Sequence, residues 1–420
     1  MQYDVIIVGG GTAGCAAAYI LAKYNKKVLL IEKNSFLGGS MTSSLVTPMM
    51  KTSNDSLNNE FFEDFYKIMH ANNSAITYTD GNKGWFNPEM AKILLNEMLA
   101  DKKVDILYNT TVGKINISNR YIQSIQIFNK ILSEPIDTKY IIDATGNCDI
   151  GFMSNCEFIN DNSENQPTTL RFIMSGIDMH EFGEWLKSID SDTNVTSVAE
   201  IGGQTHLSTA YTWDTNKNWA LRTFFDDAVE KNILKNEDRN YFQVFTIPGM
   251  FDSLAFNCPR IHFDTNINPL DKFESSNALK IAYPAILRLA NFCKKYFKGF
   301  ENAYISNIAD SLGVRVSRRI KGKYVYTIDD LKSGKKFENP VLISDYPVDV
   351  HSSKKDCSVL EHNYCEYQLP IESLMSADID NLFVVGRCLS ADFLAQAALR
   401  IIPSCFSMGE GVAKYLLTAL

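Results

Sequence analysis

The chain has 420 residues, of which 45% are hydrophobic and 21% are charged. This composition is typical of a folded globular protein and excludes a disordered one. A single hydrophobic core stops growing at roughly 250–300 residues, so the length predicts two joined domains with a cleft between them. The formal charge is −8, from 41 basic and 49 acidic residues, and no long basic run could bind a row of phosphates. We therefore expect no nucleic-acid partner.

The first apolar stretch, residues 5–8, follows Asp4 without a basic leader and runs into glycines. This pattern is typical of neither a signal peptide nor a membrane span. The nine cysteines form no C-x-x-C pair and no zinc-like cluster, so no metal site is expected. These features predict a cytoplasmic protein without a membrane partner.

A βαβ unit is predicted at the start of the chain. A β-branched strand over 3–8 leads into the glycine turn 9–14, an alanine-rich helix over 15–23 and a second strand over 28–31. The whole unit fits within the roughly 30 residues that a dinucleotide-binding βαβ unit takes. We therefore predict an α/β protein with a Rossmann-type fold at its N-terminus.

Each glycine of the turn has its own predicted role. Gly9 allows the tight turn, Gly11 leaves space beside a pyrophosphate, and Gly14 permits close contact between helix and strand. Thr12 and Ala13 of the turn are included in the predicted cofactor site, and the helix that follows has free N–H groups and a positive dipole that attract phosphates. A glycine-rich turn without a ligand is the alternative, and the surrounding elements disfavour it.

The second strand ends at Glu32, near the expected distance of about 20 residues from the turn. Its carboxylate can accept hydrogen bonds from ribose hydroxyls, and an acid there argues against a 2′-phosphate. Lys33 follows it and is included in the predicted cofactor site.

A second glycine pair follows in residues 36–42, which read F-L-G-G-S-M-T. A dinucleotide longer than NAD would need such a second contact, here with Gly39, Ser40, Met41 and Thr42. The two glycine motifs together resemble the FAD-dependent oxidoreductases of the glutathione-reductase-like superfamily. The resemblance implies that FAD is the cofactor and that both motifs contact it.

The middle of the cofactor domain adds two segments to this resemblance. Residues 87–89 predict a helix start, with Met90, Ile93, Leu94 and Met98 on one helix face. The strand that follows, 104–108, and its turn to Val112 resemble the family segment beside the adenine. An ordinary sheet strand explains Val112 equally well.

Residues 140–146 match the family's apolar strand followed by A-T-G, where Ala144 and Gly146 would admit the cofactor. The next residues, N-C-D, depart from the usual D-G-D. We interpret Cys148 as a buried, inert thiol.

The end of the chain carries the last match. A strand over 381–385 runs into Gly386 and Arg387, and the pattern resembles the family's N-L-L-V-A-G-R. The resemblance implies that the last helix, beginning near Ile401 and Ile402, directs its positive N-terminus at the flavin pyrimidine ring.

Because the matching segments lie at both ends, we predict a discontinuous FAD domain of residues 1–50, 87–155 and 376–420. Residues 51–86 and 156–375 would form an inserted α+β substrate lobe. In this lobe we predict strands over 168–175 and 324–328 and a long helix over 276–297, which Pro284 would kink. No second dinucleotide motif occurs in a βαβ unit, so a dedicated NAD(P) domain is not expected.

The densest positive cluster, residues 313–320, resembles the family's G-V-R-E-T-R-R-I. As a strand it would place Arg315 and Arg319 on one face. Guanidinium groups suit a carboxylate, a phosphate or a reduced flavin, whereas ion pairs that brace the two lobes are the alternative. The family's glutamate is Val316 here, so its role does not transfer.

Asp349 and His351 resemble the family's D-x-H, and their spacing on an extended chain points both side chains the same way. His351 is a candidate general base for a substrate that loses hydride to the flavin, with a structural histidine as the alternative. Arg315, Arg387 and Arg400 complete the predicted catalytic set.

The sequence therefore predicts an FAD-dependent dehydrogenase, oxidase or reductase that transfers hydride between a small molecule and flavin. Oxygen, a pyridine nucleotide or a partner protein could exchange the electrons. A flavin-dependent hydroxylase or monooxygenase is the alternative among enzymes. A flavin-bound protein that acts on RNA or in assembly is the alternative of another class, and the acidic balance disfavours it.

Overall fold

The computed structural model describes residues 2–50, 57–78, 83–160, 166–193, 195–212, 219–239, 241–261, 270–351, 358–361 and 366–420. Short 3-10 helices cover Gly39–Met41, Asn236–Arg239 and Ile371–Leu374. The α-helices are α1 Thr12–Lys23, α2 Glu60–Ala71, α3 Pro88–Asp101, α4 Asp149–Met153, α5 Met179–Ile189, α6 Arg222–Glu230, α7 Lys272–Tyr296, α8 Ile328–Ser333, α9 Phe393–Leu399 and α10 Ile402–Leu417.

The strands belong to two large sheets and several short pairs. They are β1 Gln2–Val8, β2 Val28–Ile31, β3 Ala75–Ile76, β4 Trp85–Phe86, β5 Asp105–Leu107, β6 Thr111–Ser118, β7 Tyr121–Asn129, β8 Ile131–Leu132, β9 Ile136–Asp143, β10 Thr168–Thr169, β11 Phe172–Ser175, β12 Thr196–Ile201, β13 Gln204–Thr212, β14 Tyr241–Thr246, β15 Leu254–Phe256, β16 Arg260–Ile261, β17 Tyr304–Ile308, β18 Pro340–Ser344, β19 Val348–His351, β20 Ser358–Glu361, β21 Tyr367–Pro370 and β22 Leu382–Val384.

The first large sheet has the strand order β5-β2-β1-β9-β7-β6, with β22 beside β9 and β8 beside β7. Its centre is parallel, since β1 pairs in parallel with β2 and β9, and β22 pairs in parallel with β9. Strands from both ends of the described chain thus meet at β9. The predicted α/β class with a Rossmann-type core is confirmed.

Both faces of this sheet are buried, which explains the continuous apolar run of β1. Val5 and Ile7 pack in the cluster that contains α1, whereas Ile6 and Val8 pack in the cluster on the opposite face. Successive side chains of a strand point to opposite faces, so a strand covered on both sides needs apolar residues throughout.

Helix α10 packs against α1, and their contact is unusually close at Gly409. A Cβ atom at Gly409 would lie 2.0 Å from the carbonyl oxygen of Ala13, so only glycine permits this approach. The first and last helices of the described chain are thereby fixed to each other beside the sheet.

The second large sheet is antiparallel, with the order β12-β13-β14-β15-β11-β17. One face packs on an aromatic core in which the rings of Phe172 and Phe256 stack at 4.4 Å, with Phe242 beside them.

The predicted domain bounds stay a prediction. Helix α2 lies in the segment predicted for the substrate lobe, and its Phe61 and Phe65 pack on Phe406 of α10.

Two predicted helices are confirmed in position. Asn87 is the N-cap of α3, where its side chain accepts from the N–H groups of Glu89 (3.0 Å) and Met90 (3.2 Å). Of the apolar residues predicted to share one face of α3, Leu94 and Met98 are buried, whereas Ile93 is 52% exposed. Helix α7 begins four residues before the predicted start and contains Pro284.

Two predicted strands differ from the structure. No strand covers 324–328, because Thr327 and Asp330 form a reciprocal capping box that starts α8. The predicted strand 168–175 is divided into β10 and β11, which pair with different partners. In the described ranges, no helix is both long and apolar enough to cross a bilayer.

Candidate cofactor and substrate site

One cavity of about 520 Å³ is bordered by the segments that follow β9 and β22 of the first sheet, by the second sheet and by the first turns of α1 and α10. This volume is within the range of roughly 300–1,000 Å³ that small-molecule and cofactor pockets occupy. All four predicted catalytic residues and many predicted cofactor residues border it. These residues are His351, Arg315, Arg387 and Arg400, together with Gly11, Thr12, Ala13, Gly39, Ser40, Ala144, Gly146, Gly386, Ile401 and Ile402.

Two glycines of the first turn are required by the backbone around them. Gly9 has φ +106°, and a Cβ atom there would lie 2.4 Å from the carbonyl oxygen of Ala144. A Cβ atom at Gly14 would lie 2.0 Å from the carbonyl oxygen of Gly9. Both glycines therefore shape the turn from behind and do not border the cavity themselves.

The start of α1 is open to a ligand. No side chain caps this helix, and no acidic residue lies in its first turn. Gly11, Thr12 and Ala13 border the cavity, so the unpaired N–H groups of the first turn lie beside it. A Cβ atom at Gly39 would lie 2.7 Å from Cα of Gly11, which brings the second glycine pair against the first. This arrangement fits a pyrophosphate.

Besides Gly9 and Gly14, five predicted cofactor residues lie outside the cavity lining. Glu32 accepts from the N–H groups of Gly10 (2.7 Å) and Asn34 (2.8 Å), and burial raises the pKa of its carboxyl. It therefore braces the glycine turn, and its contact with a ribose stays a prediction. Of the other four, Lys33 is exposed, Met41 is buried and Val112 is half-buried. The hydroxyl of Thr42 donates to the carbonyl oxygen of Leu37.

The A-T-G segment is held by a buried carboxylate that the sequence analysis missed. Asp143 accepts from the hydroxyl of Thr145 (2.7 Å) and from the N–H of Ile150 (2.8 Å). These bonds place Ala144 and Gly146 at the cavity. Cys148 is buried, as expected, and a hydrogen bond with Cys388 together with burial raises its pKa.

Arg387 joins three segments around the cavity. Its Nε donates to the carbonyl oxygen of Gly146 (2.7 Å), Nη1 to that of Val314 (2.7 Å) and Nη2 to Oδ1 of Asn147 (2.6 Å). Since every nitrogen of this guanidinium already donates to the protein, the geometry favours a positioning role for Arg387 over a catalytic one.

The start of α10 forms another border of the cavity. Its N-cap Ile401 makes no side-chain capping bond, and Pro403 in the first turn has no N–H to satisfy. Arg400 precedes the helix and donates through Nη2 to Oε1 of Gln166 (3.0 Å) and to the carbonyl oxygen of Asp349 (2.9 Å). The N-terminus of α10 and the guanidinium of Arg400 therefore lie together at the cavity.

Asp349 and His351 do point the same way from β19, as predicted. Nε2 of His351 lies 3.3 Å from Oδ2 of Asp349, and Nδ1 of His351 contacts Nη2 of Arg260. A guanidinium can only donate, so Nδ1 accepts and Nε2 carries the proton that faces Asp349. Both ring nitrogens of His351 are therefore engaged with protein groups.

The charges around this pair set its protonation. Burial, and then the positive charge of Arg315, lower the pKa of His351 well below its usual value, although Asp349 opposes the change. Burial opposes ionisation of Asp349, but the hydrogen bond from Nε2–H of His351 and the positive charges of Arg400 and Arg315 outweigh it and hold the pKa of that carboxyl low. The pair is a neutral imidazole beside a carboxylate.

Residues 313–320 do not form a strand, so the two arginines do not share a face. Arg315 borders the cavity and donates through Nη1 to the carbonyl oxygen of Pro167 (2.6 Å) and to Oγ1 of Thr169 (3.2 Å). Arg319 donates to the carbonyl oxygen of Ala391 (3.0 Å) and lies outside the lining. The segment is held at its two ends by isolated bridges, Gly313 with Thr169 of β10 and Ile320 with Phe158.

A polar wall of the cavity was not predicted. Ser208, Tyr241 and Gln243 of this wall belong to the second sheet, Thr169 belongs to β10, and Arg171 and Asn257 lie next to β11 and β15. On β14, Tyr241 and Gln243 alternate with the buried Phe242 and Val244. That alternation was the available signal, since it is typical of a strand with one face on a core and the other towards solvent or a ligand.

Comparison with known proteins agrees with this geometry. A family model described as FAD dependent oxidoreductase matches residues 4–419. The chain is 60% identical over 35 residues to a glycerol 3-phosphate oxidase of Mycoplasma genitalium, which is 8% of this chain and 9% of that protein. It is 24% identical over 157 residues to a digeranylgeranylglycerophospholipid reductase of Sulfolobus acidocaldarius, which is 35% of this chain and 34% of that protein.

These curated relatives are thus covered over a minor part of their length. Among solved structures, an L-proline dehydrogenase from P. horikoshii aligns with 100% of this chain and 94% of its own, at 11% identity and a TM-score of 0.47. The unpaired N–H groups at α1, the two touching glycine pairs and the uncapped start of α10 all fit FAD. The family match covers nearly the whole chain, and the chain belongs to the FAD-dependent oxidoreductase family.

Proposed function

We propose that this protein oxidises or reduces a small molecule by hydride exchange with FAD in the described cavity. The observation that carries the proposal is that the glycine turns, the start of α10 and the polar wall of the second sheet all border one cavity. When bound, FAD supplies the group that accepts or donates hydride. The protein holds the cofactor on one side and leaves the polar wall to the substrate.

The residues proposed to hold FAD fall into two groups. The backbone at Gly11, Thr12 and Ala13, with Gly39 and Ser40 against it, would bind the pyrophosphate. Ala144, Gly146, Gly386, Ile401 and Ile402 would surround the flavin end. The dipole of α10 and the charge of Arg400 favour negative charge at the same end of the cavity.

We propose that His351 is a positioning residue, which changes the role predicted from the sequence. A general base needs a free lone pair near neutral pKa. In His351 the lone pair of Nδ1 faces Arg260, and the imidazole is neutral with a depressed pKa. The ring therefore holds Arg260 and Asp349 in place at the cavity.

His351→Gln should keep most of the rate of flavin reduction, whereas His351→Leu should lower it roughly tenfold or more. Glutamine still offers an acceptor and a donor, but leucine leaves the buried Asp349 and Arg260 without their partner, which typically costs about 1–3 kcal/mol. The measurement is anaerobic stopped-flow reduction with the substrate found in the screen below, from pH 5.5 to 8. Equal loss in both variants, with a wild-type inflection near pH 6.5 that disappears in them, would restore His351 as the base.

The cellular location, the kind of substrate and the electron acceptor are also proposals. Seven cysteines in the described residues are buried free thiols, which suits the cytoplasmic location that we propose. The cavity holds its guanidinium groups inside the protein, which supports a small-molecule substrate over RNA. Oxygen, a pyridine nucleotide and a partner protein are the proposed electron acceptors, and a hydroxylase is the alternative reaction.

The first test is the visible spectrum of the purified protein, with identification of the nucleotide released by heat. We expect flavin bands and FAD. Candidate substrates are then added without oxygen, and bleaching of the flavin identifies a reductant. Reoxidation by air alone, with hydrogen peroxide as product, would indicate an oxidase, whereas a hydroxylated product would favour the alternative. A colourless protein that cannot be reconstituted with FAD would refute the proposed function.

A further inference from the structure

Building on the proposed function, we infer that the substrate is a small organic acid whose carboxylate binds Arg171 and Arg315. Both side chains border the cavity. The inference names a substrate class for the proposed site and adds Arg171, which no sequence motif indicated.

The charge of the cavity lining is strongly positive. Its described residues include four guanidinium groups, those of Arg171, Arg315, Arg387 and Arg400, against the single carboxylate of Asp349. His351 adds no charge, because it is neutral. A cavity of this kind attracts an anion, since buried charges of one sign need a counter-charge.

Arg171 is buried, with 7% of the residue exposed. Its Nη1 donates to the carbonyl oxygen of Leu45 (3.1 Å), and among the described residues no carboxylate lies within ion-pair distance. Its Nε and Nη2 donate to no described residue. These donors belong to a side chain that borders the cavity, where a ligand can take them.

Arg315, in the segment of residues 313–320, also has guanidinium nitrogens that donate to no described residue. Its two hydrogen bonds both come from Nη1, so Nε and Nη2 have no partner within the described ranges. Burial, and then the neighbouring charges of Arg260, Arg400 and Arg171, lower the pKa of Arg315 well below its usual value. An anion between Arg171 and Arg315 would relieve this repulsion.

The neutral groups of the wall favour a polar substrate over a hydrocarbon. Asn257 donates through Nδ2 to Oε1 of Gln243 (2.7 Å), while its buried Oδ1 has no hydrogen-bond partner in the described part of the chain. A hydroxyl or amino group of a substrate could donate to this oxygen. A buried acceptor without a hydrogen bond costs free energy, so such a contact would favour substrates that carry a donor at this position.

The phosphate-binding features of the fold are backbone N–H groups at the start of α1, which the proposed function assigns to the pyrophosphate. Arg171 and Arg315 offer side-chain guanidinium forks instead, whose planar donors match a carboxylate in a bidentate geometry. Because such forks also match a phosphate, inorganic phosphate is included in the test.

The test compares Arg171→Gln and Arg171→Lys with Arg318→Gln as a matched control. Arg318 is a neighbour of Arg315 in sequence but lies outside the lining, where it pairs with Asp149 (3.0 Å) and covers the ring of Phe152. Holoprotein is titrated with acetate, lactate, pyruvate and succinate, and with acetamide and inorganic phosphate. Calorimetry reports binding, flavin difference spectra report its position, and released nucleotide reports FAD content.

We expect at least one carboxylate to bind wild type, and to bind Arg171→Gln roughly 10- to 100-fold more weakly, as expected for loss of a charge-assisted hydrogen bond. Arg171→Lys should recover part of the affinity, Arg318→Gln should match wild type, and all three should retain FAD. Equal binding of acetamide, tighter binding of phosphate, no carboxylate binding, or loss of FAD from Arg171→Gln would each overturn the inference. Absence of FAD from wild type is a separate result that refutes the proposed function, because calorimetry still measures the anion.

Discussion

Gly11→Asp should give a folded protein that no longer retains FAD. Gly11 borders the cavity, and a Cβ atom there meets Gly39 only at an ordinary contact distance of 3.7 Å, so the fold tolerates a side chain. An aspartate would place a negative charge beside the pyrophosphate. At a separation near 4 Å this repulsion amounts to about 4 kcal/mol, or roughly a thousandfold in affinity. FAD content after gel filtration, with circular dichroism as the measure of folding, tests the expectation.

Gly11→Asn is the matched control, because asparagine has nearly the same size without the charge. It should weaken FAD binding much less than aspartate does, and Gly11→Ala less again. Full FAD content in a folded Gly11→Asp protein would show that the pyrophosphate does not lie at this turn.

Gly14→Ala should destabilise the protein, although alanine is the better helix former. Helix propensity alone would favour alanine by about 1 kcal/mol. However, the new Cβ atom would lie 2.0 Å from the carbonyl oxygen of Gly9 and 3.1 Å from Cβ of Ala144. The first of these atoms is backbone and cannot rotate away, so the overpacking cost of about 1–3 kcal/mol should dominate. We expect a melting temperature lower by several degrees and reduced FAD retention.

Gly183→Ala in α5 is the comparison for this change. There the added Cβ atom would meet only side-chain atoms, Cγ1 of Val198 at 3.2 Å and Cγ2 of Thr205 at 3.5 Å. Side chains can adjust, so Gly183→Ala should leave the melting temperature nearly unchanged. A Gly14→Ala protein as stable as this control would mean that α1 can shift away from β1.

The cofactor side of the site was predictable because its rules are local. Gly14 and Asn87 have their roles through atoms close in sequence, the carbonyl oxygen of Gly9 and the N–H groups of Glu89 and Met90. Gly9 also follows from the motif, although the backbone that encloses it belongs to the distant Ala144. The residues beside them at the cavity were therefore identified by motif, although their contacts with FAD stay predictions.

The substrate side was not predictable in the same way. Arg171 reaches the cavity because it stands between two short strands that belong to different sheets, and this division depends on long-range pairing. The role of His351 depends on Arg260, which is 91 residues away in sequence. A short stretch of sequence around Arg171 or His351 does not include the distant strands and residues on which its position depends.

The contact between Gly409 and Ala13 also bears on how the protein is made. Helix α10, which covers α1 and borders the cavity, is synthesised long after α1. Until α10 has been made, the apolar side of α1 lacks its cover and the cofactor pocket lacks one wall. Capture of FAD should thus follow synthesis of α10, and until then the segment that contains α1 is a candidate client for chaperones.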